Sequence, residues 1–122
     1  MELSGGCEWM VEAHGCDPSA LKDLPLLAGL FREIIRDLGL HPVTEPAWHS
    51  FPGAGGVTGM TMLSESHLTC HTFPEFQSIC LNLFCCRLRP DWNFNARLRA
   101  VLGATSVSVR RIDRPYQLAG AP

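Results

Sequence analysis

The feature that most constrains the fold is a run of strand-like segments enclosed between two segments with a helical pattern. Apolar side chains recur at the helical period across 19–38, and Gly39 follows where such a helix would end. Pro90 and Asp91 open a second helical segment, predicted across 91–102. Between the helices, three segments carry the pattern of strands, near 57–65, 67–72 and 78–86. A chain of this pattern combines helices with a sheet.

Two more strands are predicted outside the helices, and they complete the sheet. Residues 8–13 and 105–112 alternate between apolar and polar side chains, and 42–49 is a weaker strand candidate. Without the weaker candidate, the order of elements is β-α-β-β-β-α-β. This order predicts an α+β two-layer sandwich, in which an antiparallel-leaning β-sheet carries two helices on one face. The other face of such a sheet needs cover, which a homodimer would supply.

Length and charge limit the number of domains and the classes of partner. With 122 residues, the chain has room for a single domain, 1–122, which we expect to end in a loose tail at 115–122. The formal charge of −2 comes with no basic stripe, so nucleic acid is not an expected partner. No apolar run approaches the roughly 20 residues that cross a bilayer, and residues 1–6 lack a signal pattern. We therefore expect a cytoplasmic protein that does not bind membranes.

The cysteines raise the alternatives of a disulfide framework and a zinc site. Six are present, at Cys7, Cys16, Cys70, Cys80, Cys85 and Cys86. Because thiols in the cytosol are kept reduced, we expect no disulfides, and we interpret Cys85 as a buried apolar thiol. Cys70, His71 and Cys80 lack the paired C-x2-C spacing of zinc sites, so no metal site is predicted.

The segment 61–86 carries the residues that most favour a particular chemistry. Glu65 precedes Ser66 directly, and His71 follows five residues later. Self-cleavage through a serine hydroxyl requires a backbone carbonyl beside the serine and a base within reach. Each of these residues on its own is also an ordinary strand residue. The combination is what indicates a functional site.

The combined spacing resembles that of the small bacterial and archaeal S-adenosylmethionine decarboxylase proenzymes. The matching residues are the Glu65-Ser66-His67 triplet, the run from His71 to Glu75, Thr58 and Cys86. Thr58 precedes Ser66 by eight residues, and Cys86 follows it by twenty. Residues 11–17, VEAHGCD, are also similar to the first strand of that family. The resemblance extends from residue 8 to about residue 112.

This resemblance implies a chain that cuts itself between Glu65 and Ser66. The Ser66 hydroxyl would attack the Glu65 carbonyl, and elimination would convert Ser66 into a pyruvoyl cofactor at the start of the second fragment. The pyruvoyl group would form a Schiff base with S-adenosylmethionine and promote the loss of CO₂, which makes the aminopropyl donor for spermidine synthesis. The family dimerises, so a homodimer of processed protomers is expected.

The resemblance also assigns roles to individual residues. His71 would be the proton acceptor during processing, and the hydroxyl of Thr58, where the family usually has a serine, would assist cleavage. Cys86 would return a proton to the substrate carbon after CO₂ leaves. Glu75 would bind the ribose hydroxyls of the substrate, and Phe51 would stack on the adenine and favour the nearby sulfonium.

Four departures from the family pattern fall near the expected pocket. One extra residue follows Phe51, and Phe73, Asn82 and Arg87 replace the usual Trp, Asp and Gly. A cation such as Arg87 repels a sulfonium substrate at short range, or it holds a substrate carboxylate. A pyruvoyl-dependent decarboxylase of a basic amino acid, ornithine or arginine, is therefore an alternative. A further alternative is a non-catalytic binding or regulatory relative that stays uncut.

Overall fold

A six-stranded antiparallel sheet forms the centre of the protein, which we describe from a computed structural model over residues 4–118. Its strands are β1 (Gly5–His14), β2 (Ala47–Ser50), β3 (Val57–Met62), β4 (Ser66–Phe73), β5 (Ser78–Cys85) and β6 (Ser106–Pro115). They lie in the order β2-β3-β4-β5-β1-β6, and every neighbouring pair is antiparallel. The predicted α+β fold with an antiparallel sheet is therefore confirmed.

Helices accompany the sheet, and the first predicted helix is divided in two. The described residues form α1 (Pro18–Leu21), α2 (Leu24–Asp37) and α3 (Phe94–Leu102). The prediction of one continuous helix over 19–38 is wrong, because the helix is interrupted at Asp23. The side chain of Asp23 caps α2 by accepting a hydrogen bond from the Leu26 N–H at 3.1 Å. Pro25 follows in the first turn of α2, where the N–H that proline lacks would have no acceptor within the helix.

Two further boundaries differ from the prediction by a few residues. The second predicted helix begins at Phe94 instead of residue 91, because the Asn93 side chain caps it by accepting from the Ala96 N–H at 3.0 Å. Gly103 ends this helix as predicted, with a φ of 71°. The weaker strand candidate at 42–49 is the short edge strand β2.

The last strand is longer than predicted. β6 continues to Pro115, beyond its predicted end, because β1 offers partners along its whole length. The backbone N–H groups of residues 116–117 then donate to the Ser4 carbonyl at 3.2 Å. The predicted loose tail at 115–122 therefore starts with an ordered strand end, and residues 119–122 lie outside the described part of the chain.

The core lies between one face of the sheet and the helices α2 and α3. Buried and less buried side chains alternate along β1, β4 and β5, as expected for strands with one covered face. The helices bury Leu27, Leu30, Phe31 and Ile34 from α2, and Phe94, Leu98 and Leu102 from α3. Each such side chain contributes about 1.5–3 kcal/mol when it is fully buried. Both helices thus cover the same face of the sheet, as the sandwich fold requires.

The opposite face of the sheet is covered by no helix in the described residues, and we call it the open face. Its members include Met10, Met60, Met62, Thr69, His71 and Phe84. Met60 and Met62 are each 54% exposed, which leaves two large apolar side chains in solvent. At the other end of the sheet, Arg110 and Arg114 of β6 form ion pairs with glutamates of β1. The open face therefore combines apolar and charged regions.

Candidate active site

The peptide bond between Glu65 and Ser66 lies in the tight turn that joins β3 to β4. The Leu63 N–H donates to the Ser66 carbonyl at 2.9 Å across this turn, and the Cys86 N–H donates to the Glu65 carbonyl at 2.7 Å. The second bond draws electron density from the Glu65 carbonyl carbon, which is the atom that a serine hydroxyl would attack. The structure thus brings together three of the residues singled out in the sequence.

Ser66 is nearly buried and lies opposite Cys85 of β5. Its relative exposure is 9%, and it borders a cavity of about 460 Å³ together with Met60 and Met62 of the open face. Burial is the main cause that raises the pKa of the Cys85 thiol to about 11, and the Ser66 side chain lowers this pKa by a smaller amount. Cys85 is therefore a neutral thiol near pH 7. The sequence indicated its burial but not its contact with Ser66, which depends on the pairing register of β4 and β5.

Cys86 follows β5 directly and differs from Cys85 in its surroundings. Its side chain is exposed, so small molecules can reach the thiol. The register that pairs Ser66 with Cys85 sets Cys86 opposite Glu65. The thiol predicted to be a proton donor thus lies beside the predicted cleavage position.

Two arginines lie against the side chain of Glu65. Arg87 Nε is 3.0 Å from Glu65 Oε2, and Arg89 Nη2 is 3.9 Å from the same oxygen. Arg89 also donates to the Leu38 carbonyl through Nη1 at 3.3 Å. The sequence drew attention to Arg87 as a departure from the family pattern, but it gave no signal for Arg89 or for their shared partner.

The predicted processing pair, Thr58 and His71, forms on the neighbouring strands β3 and β4. These residues are direct cross-strand partners, and Thr58 Oγ1 lies 3.0 Å from His71 Nδ1. They line a cavity of about 340 Å³ together with Phe51, Phe73 and Glu75. Glu75 belongs to the short 3₁₀ turn that follows β4. The structure therefore gathers the predicted substrate-binding residues around the predicted base.

The predicted site residues form two clusters that lie far apart within one chain. The junction cluster consists of Glu65, Ser66 and Cys86, and the pocket cluster consists of Phe51, Thr58, His71 and Glu75. Ser66 and His71 belong to the same strand, so at about 3.3 Å per residue their Cα atoms are roughly 17 Å apart. A single chain therefore does not bring its own His71 to its own Ser66.

Two of the departures from the family pattern have a local explanation. Asn82 Nδ2 donates to Glu8 Oε2 at 3.2 Å, so the amide supplies a donor where an aspartate would face a second carboxylate. Phe51 is 50% exposed at the mouth of the 340 Å³ cavity, and His49 meets its ring edge-on at a centroid distance of 4.6 Å. Despite the extra residue after Phe51, its ring thus stays within the pocket cluster.

Over 4–118, no group of three or more His, Cys, Asp or Glu side chains is arranged to hold a metal ion. All six cysteines fall in this range, and each is a free thiol. No helix of the described chain is both long and apolar enough to cross a membrane.

Comparison with solved structures supports the fold. The adenosylmethionine decarboxylase from Aquifex aeolicus VF5 superposes with a TM-score of 0.78, and the match covers 99% of each chain. The sequence identity is 16%, so this likeness concerns the fold alone. The fold therefore defines the class as a single-domain α+β sandwich with one six-stranded antiparallel sheet.

Comparison with sequence families identifies the family. The model of the S-adenosylmethionine decarboxylase family matches residues 7–115. The S-adenosylmethionine decarboxylase proenzyme of Caldanaerobacter subterraneus subsp. tengcongensis is 32% identical over 90% of this chain and 92% of its own. Proenzyme 2 of Halalkalibacterium halodurans is 34% identical over 89% of this chain and 87% of its own. The chain belongs to the S-adenosylmethionine decarboxylase family.

Proposed function

We propose that the protein is a self-cleaving, pyruvoyl-dependent S-adenosylmethionine decarboxylase. Its membership of the family and the proenzyme names of its relatives support the activity and a self-processing step. The observation that carries the proposal is the hydrogen bond from the Cys86 N–H to the Glu65 carbonyl, because it prepares this one carbonyl for attack by the adjacent serine.

The chemistry of processing follows from the groups at the junction cluster. Attack of Ser66 Oγ on the Glu65 carbonyl carbon replaces the peptide bond by an ester. Elimination then removes the Ser66 Cα proton and breaks the Cβ–Oγ bond, which releases residues 1–65 with a new carboxylate. Water hydrolyses the remaining dehydroalanine to a ketone and ammonia. A buried Ser66 beside a neutral thiol, at a polarised carbonyl, fits this route.

The pyruvoyl group supplies an electrophilic carbonyl that binds the substrate amine and accepts electrons as CO₂ leaves. The protein side chains orient the substrate and move protons. The exposed thiol of Cys86 beside the junction is the donor that returns a proton to the substrate carbon. Phe51 and Glu75 hold the nucleoside part in the pocket cluster, and the ring of Phe51 stacks on the adenine.

The pairing of Arg87 with Glu65 bears on the choice of substrate. A free guanidinium next to the site would repel the sulfonium of S-adenosylmethionine. Because Arg87 lies 3.0 Å from a carboxylate, much of its charge is compensated locally, and the repulsion is smaller. The ion pair therefore leaves the site open to a cationic substrate, and the membership of the family favours S-adenosylmethionine among such substrates.

The functional unit in this proposal is a homodimer that joins its open faces. The separation of roughly 17 Å between Ser66 and His71 requires a second copy if His71 is to act at the junction. A dimer in which the two sheets pack face to face brings the pocket cluster of one copy toward the junction cluster of its partner. The exposed Met60 and Met62 lie between the two clusters and would be buried by this packing.

Intact mass spectrometry of the denatured protein tests the processing step. Two fragments that meet between Glu65 and Ser66, the second with a pyruvoyl mass at its start, are expected. The Ser66→Ala variant should remain one chain and release no CO₂ from carboxyl-labelled S-adenosylmethionine. A wild-type chain that stays uncut on long incubation would favour the non-catalytic alternative. CO₂ released faster from labelled ornithine or arginine would reassign the substrate.

Coexpression of two defective chains tests the shared site. In a mixed dimer of Ser66→Ala and His71→Ala, one site combines the intact Ser66 of one chain with the intact His71 of the other. We expect the His71→Ala chain to be cut only when the Ser66→Ala chain is present. If coexpression restores no cleavage although the two chains co-purify, His71 does not act across the dimer.

A further inference from the structure

We propose that Arg87 and Arg89 stabilise the carboxylate that leaves Glu65 during self-cleavage. The inference rests on the proposed processing at Ser66 and adds a role for two residues of this chain. Both guanidiniums lie against the residue whose main-chain carbonyl becomes a carboxylate, at 3.0 and 3.9 Å from its side-chain oxygen.

The charges around Glu65 are unbalanced before cleavage. Among residues 4–118, the side chain of Glu65 is the one carboxylate that forms an ion pair with Arg87 or Arg89. Two positive charges therefore face one negative charge. Cleavage adds a second carboxylate on the same residue, only a few bonds from the first. The cluster then holds two cations and two anions, so cleavage completes its charge balance.

Arg89 has one hydrogen-bond donor, its Nε, that is buried and has no acceptor among the described residues. The Arg89 side chain as a whole is 24% exposed. A buried guanidinium nitrogen without an acceptor is costly and is satisfied best by a charged acceptor. The bond from Nη1 to the Leu38 carbonyl anchors the side chain beside the junction without using this nitrogen. Arg89 is thus prepared to receive an anion.

The step at which these charges matter is the elimination. The base takes the Ser66 Cα proton, the Cβ–Oγ bond breaks, and its electron pair leaves with the oxygen as part of the Glu65 α-carboxylate. Negative charge therefore grows on the leaving group in the transition state and not in the preceding ester. Fixed cations close to such a charge accelerate the step. Arg87, whose side chain is 71% exposed, should contribute less than Arg89 because solvent screens it.

The test separates ester formation from elimination with hydroxylamine. Hydroxylamine attacks the ester and releases a second fragment that starts with serine, whereas elimination gives one that starts with pyruvoyl. Freshly synthesised full-length chains are incubated with and without hydroxylamine, and both fragments are quantified by intact mass. Arg89→Gln should slow the appearance of the pyruvoyl fragment about tenfold, with a smaller effect for Arg87→Gln. In both variants the hydroxylamine-sensitive fraction should rise. Arg36→Gln, which removes an exposed guanidinium elsewhere, is the matched control.

Glu65→Gln decides whether the arginines act on the leaving group or only hold the Glu65 side chain. Without the side-chain carboxylate, both guanidiniums are free for the new α-carboxylate, so elimination should become faster than in the wild type. If the arginines only held the side chain, Glu65→Gln would be slowed as much as Arg89→Gln, and the inference would be wrong. Equal elimination rates in wild type and a folded Arg89→Gln would also refute it.

Two outcomes need their own interpretation, namely an Arg89→Gln variant that does not fold and a wild-type chain that is not processed. If Arg89→Gln does not fold, Arg89→Lys, which keeps the charge, should eliminate at a rate closer to the wild type, and added salt should slow the wild-type elimination. Salt-independent elimination would then refute the inference. If the wild-type chain gives neither fragment with or without hydroxylamine, the proposed function itself fails and the role of the arginines fails with it.

Discussion

Replacing Thr58 by valine isolates the hydrogen bond to His71, because it removes a hydroxyl and keeps the branched shape. Thr58 Oγ1 lies 3.0 Å from His71 Nδ1 on the open face. A hydrogen bond of this kind contributes about 0.5–1.5 kcal/mol, which corresponds to a rate change of roughly 2- to 13-fold if the hydroxyl only orients the imidazole. A hydroxyl that itself transferred a proton would account for about 10²- to 10⁴-fold. Thr58 contacts the His71 ring and belongs to the pocket cluster, apart from Ser66, so we expect it to orient the ring and to have the smaller effect on cleavage.

The assay is a time course of cell-free synthesis in which the uncut chain and the fragments are measured by intact mass. Thr69→Val is the matched control, because Thr69 lies on the same face of β4, two residues before His71, and outside both clusters. Thr58→Ser should retain most of the wild-type rate, since the hydroxyl remains. Cleavage of Thr58→Val within twofold of the wild type would show that this bond has no role. A loss of a hundredfold or more would show that Thr58 carries the proton, and the orienting role would be refuted.

The remaining predictions concern the thiols and one glycine. Cys86→Ala should be cut at a normal rate but decarboxylate poorly, and wild-type turnover would remove Cys86 from the site. Burial raises the pKa of Cys70 to about 12 and that of Cys85 to about 11, so the folded state favours the neutral thiols. The stabilisation that accompanies each raised pKa is fully present below pH 9, near the pKa of a cysteine in the unfolded chain. It is lost as the pH rises through 9 toward the folded pKa, and the loss is about 1 kcal/mol for each thiol at pH 10. An unfolding midpoint in guanidinium that stays constant from pH 8 to 10.5 would contradict this. Gly59→Ala should lower stability by about 1–3 kcal/mol, because a Cβ at Gly59 would lie 2.2 Å from the ring of Trp48, and a thermal midpoint equal to the wild type would contradict this.

The sheet and its partner helices could be predicted because their signals are local. Periodicity gave α2, α3 and most strands, and Gly103 marked the end of α3. The break at Asp23 was also readable, since an Asp followed by Pro25 is a start signal for a helix, but the apolar period across 19–38 concealed it. The true end of β6 depends on the length of β1, which no local pattern of β6 contains.

The candidate site was predictable in composition but not in arrangement. The motif and the family resemblance together selected the residues of both clusters. The distance between Ser66 and His71 was readable too, because five residues of strand place two side chains on opposite faces and roughly 17 Å apart. What the sequence does not contain is the approach of Arg89 to Glu65, because the two residues belong to different turns and meet only after β4 and β5 have paired.

The departures from the family pattern are informative because of where they fall. His71, which the proposal assigns to proton movement, keeps its imidazole, and Thr58 keeps a hydroxyl within hydrogen-bonding distance of that ring. Arg87, which replaces a glycine, instead lies against the residue on the other side of the cleaved bond. An arginine at this position is unfavourable for a cationic substrate if the charge is free, and favourable for processing if the charge meets a leaving carboxylate. The ion pair with Glu65 resolves this conflict, since it restrains the charge of Arg87 before cleavage, while the two arginines together keep one uncompensated positive charge for the carboxylate that cleavage creates.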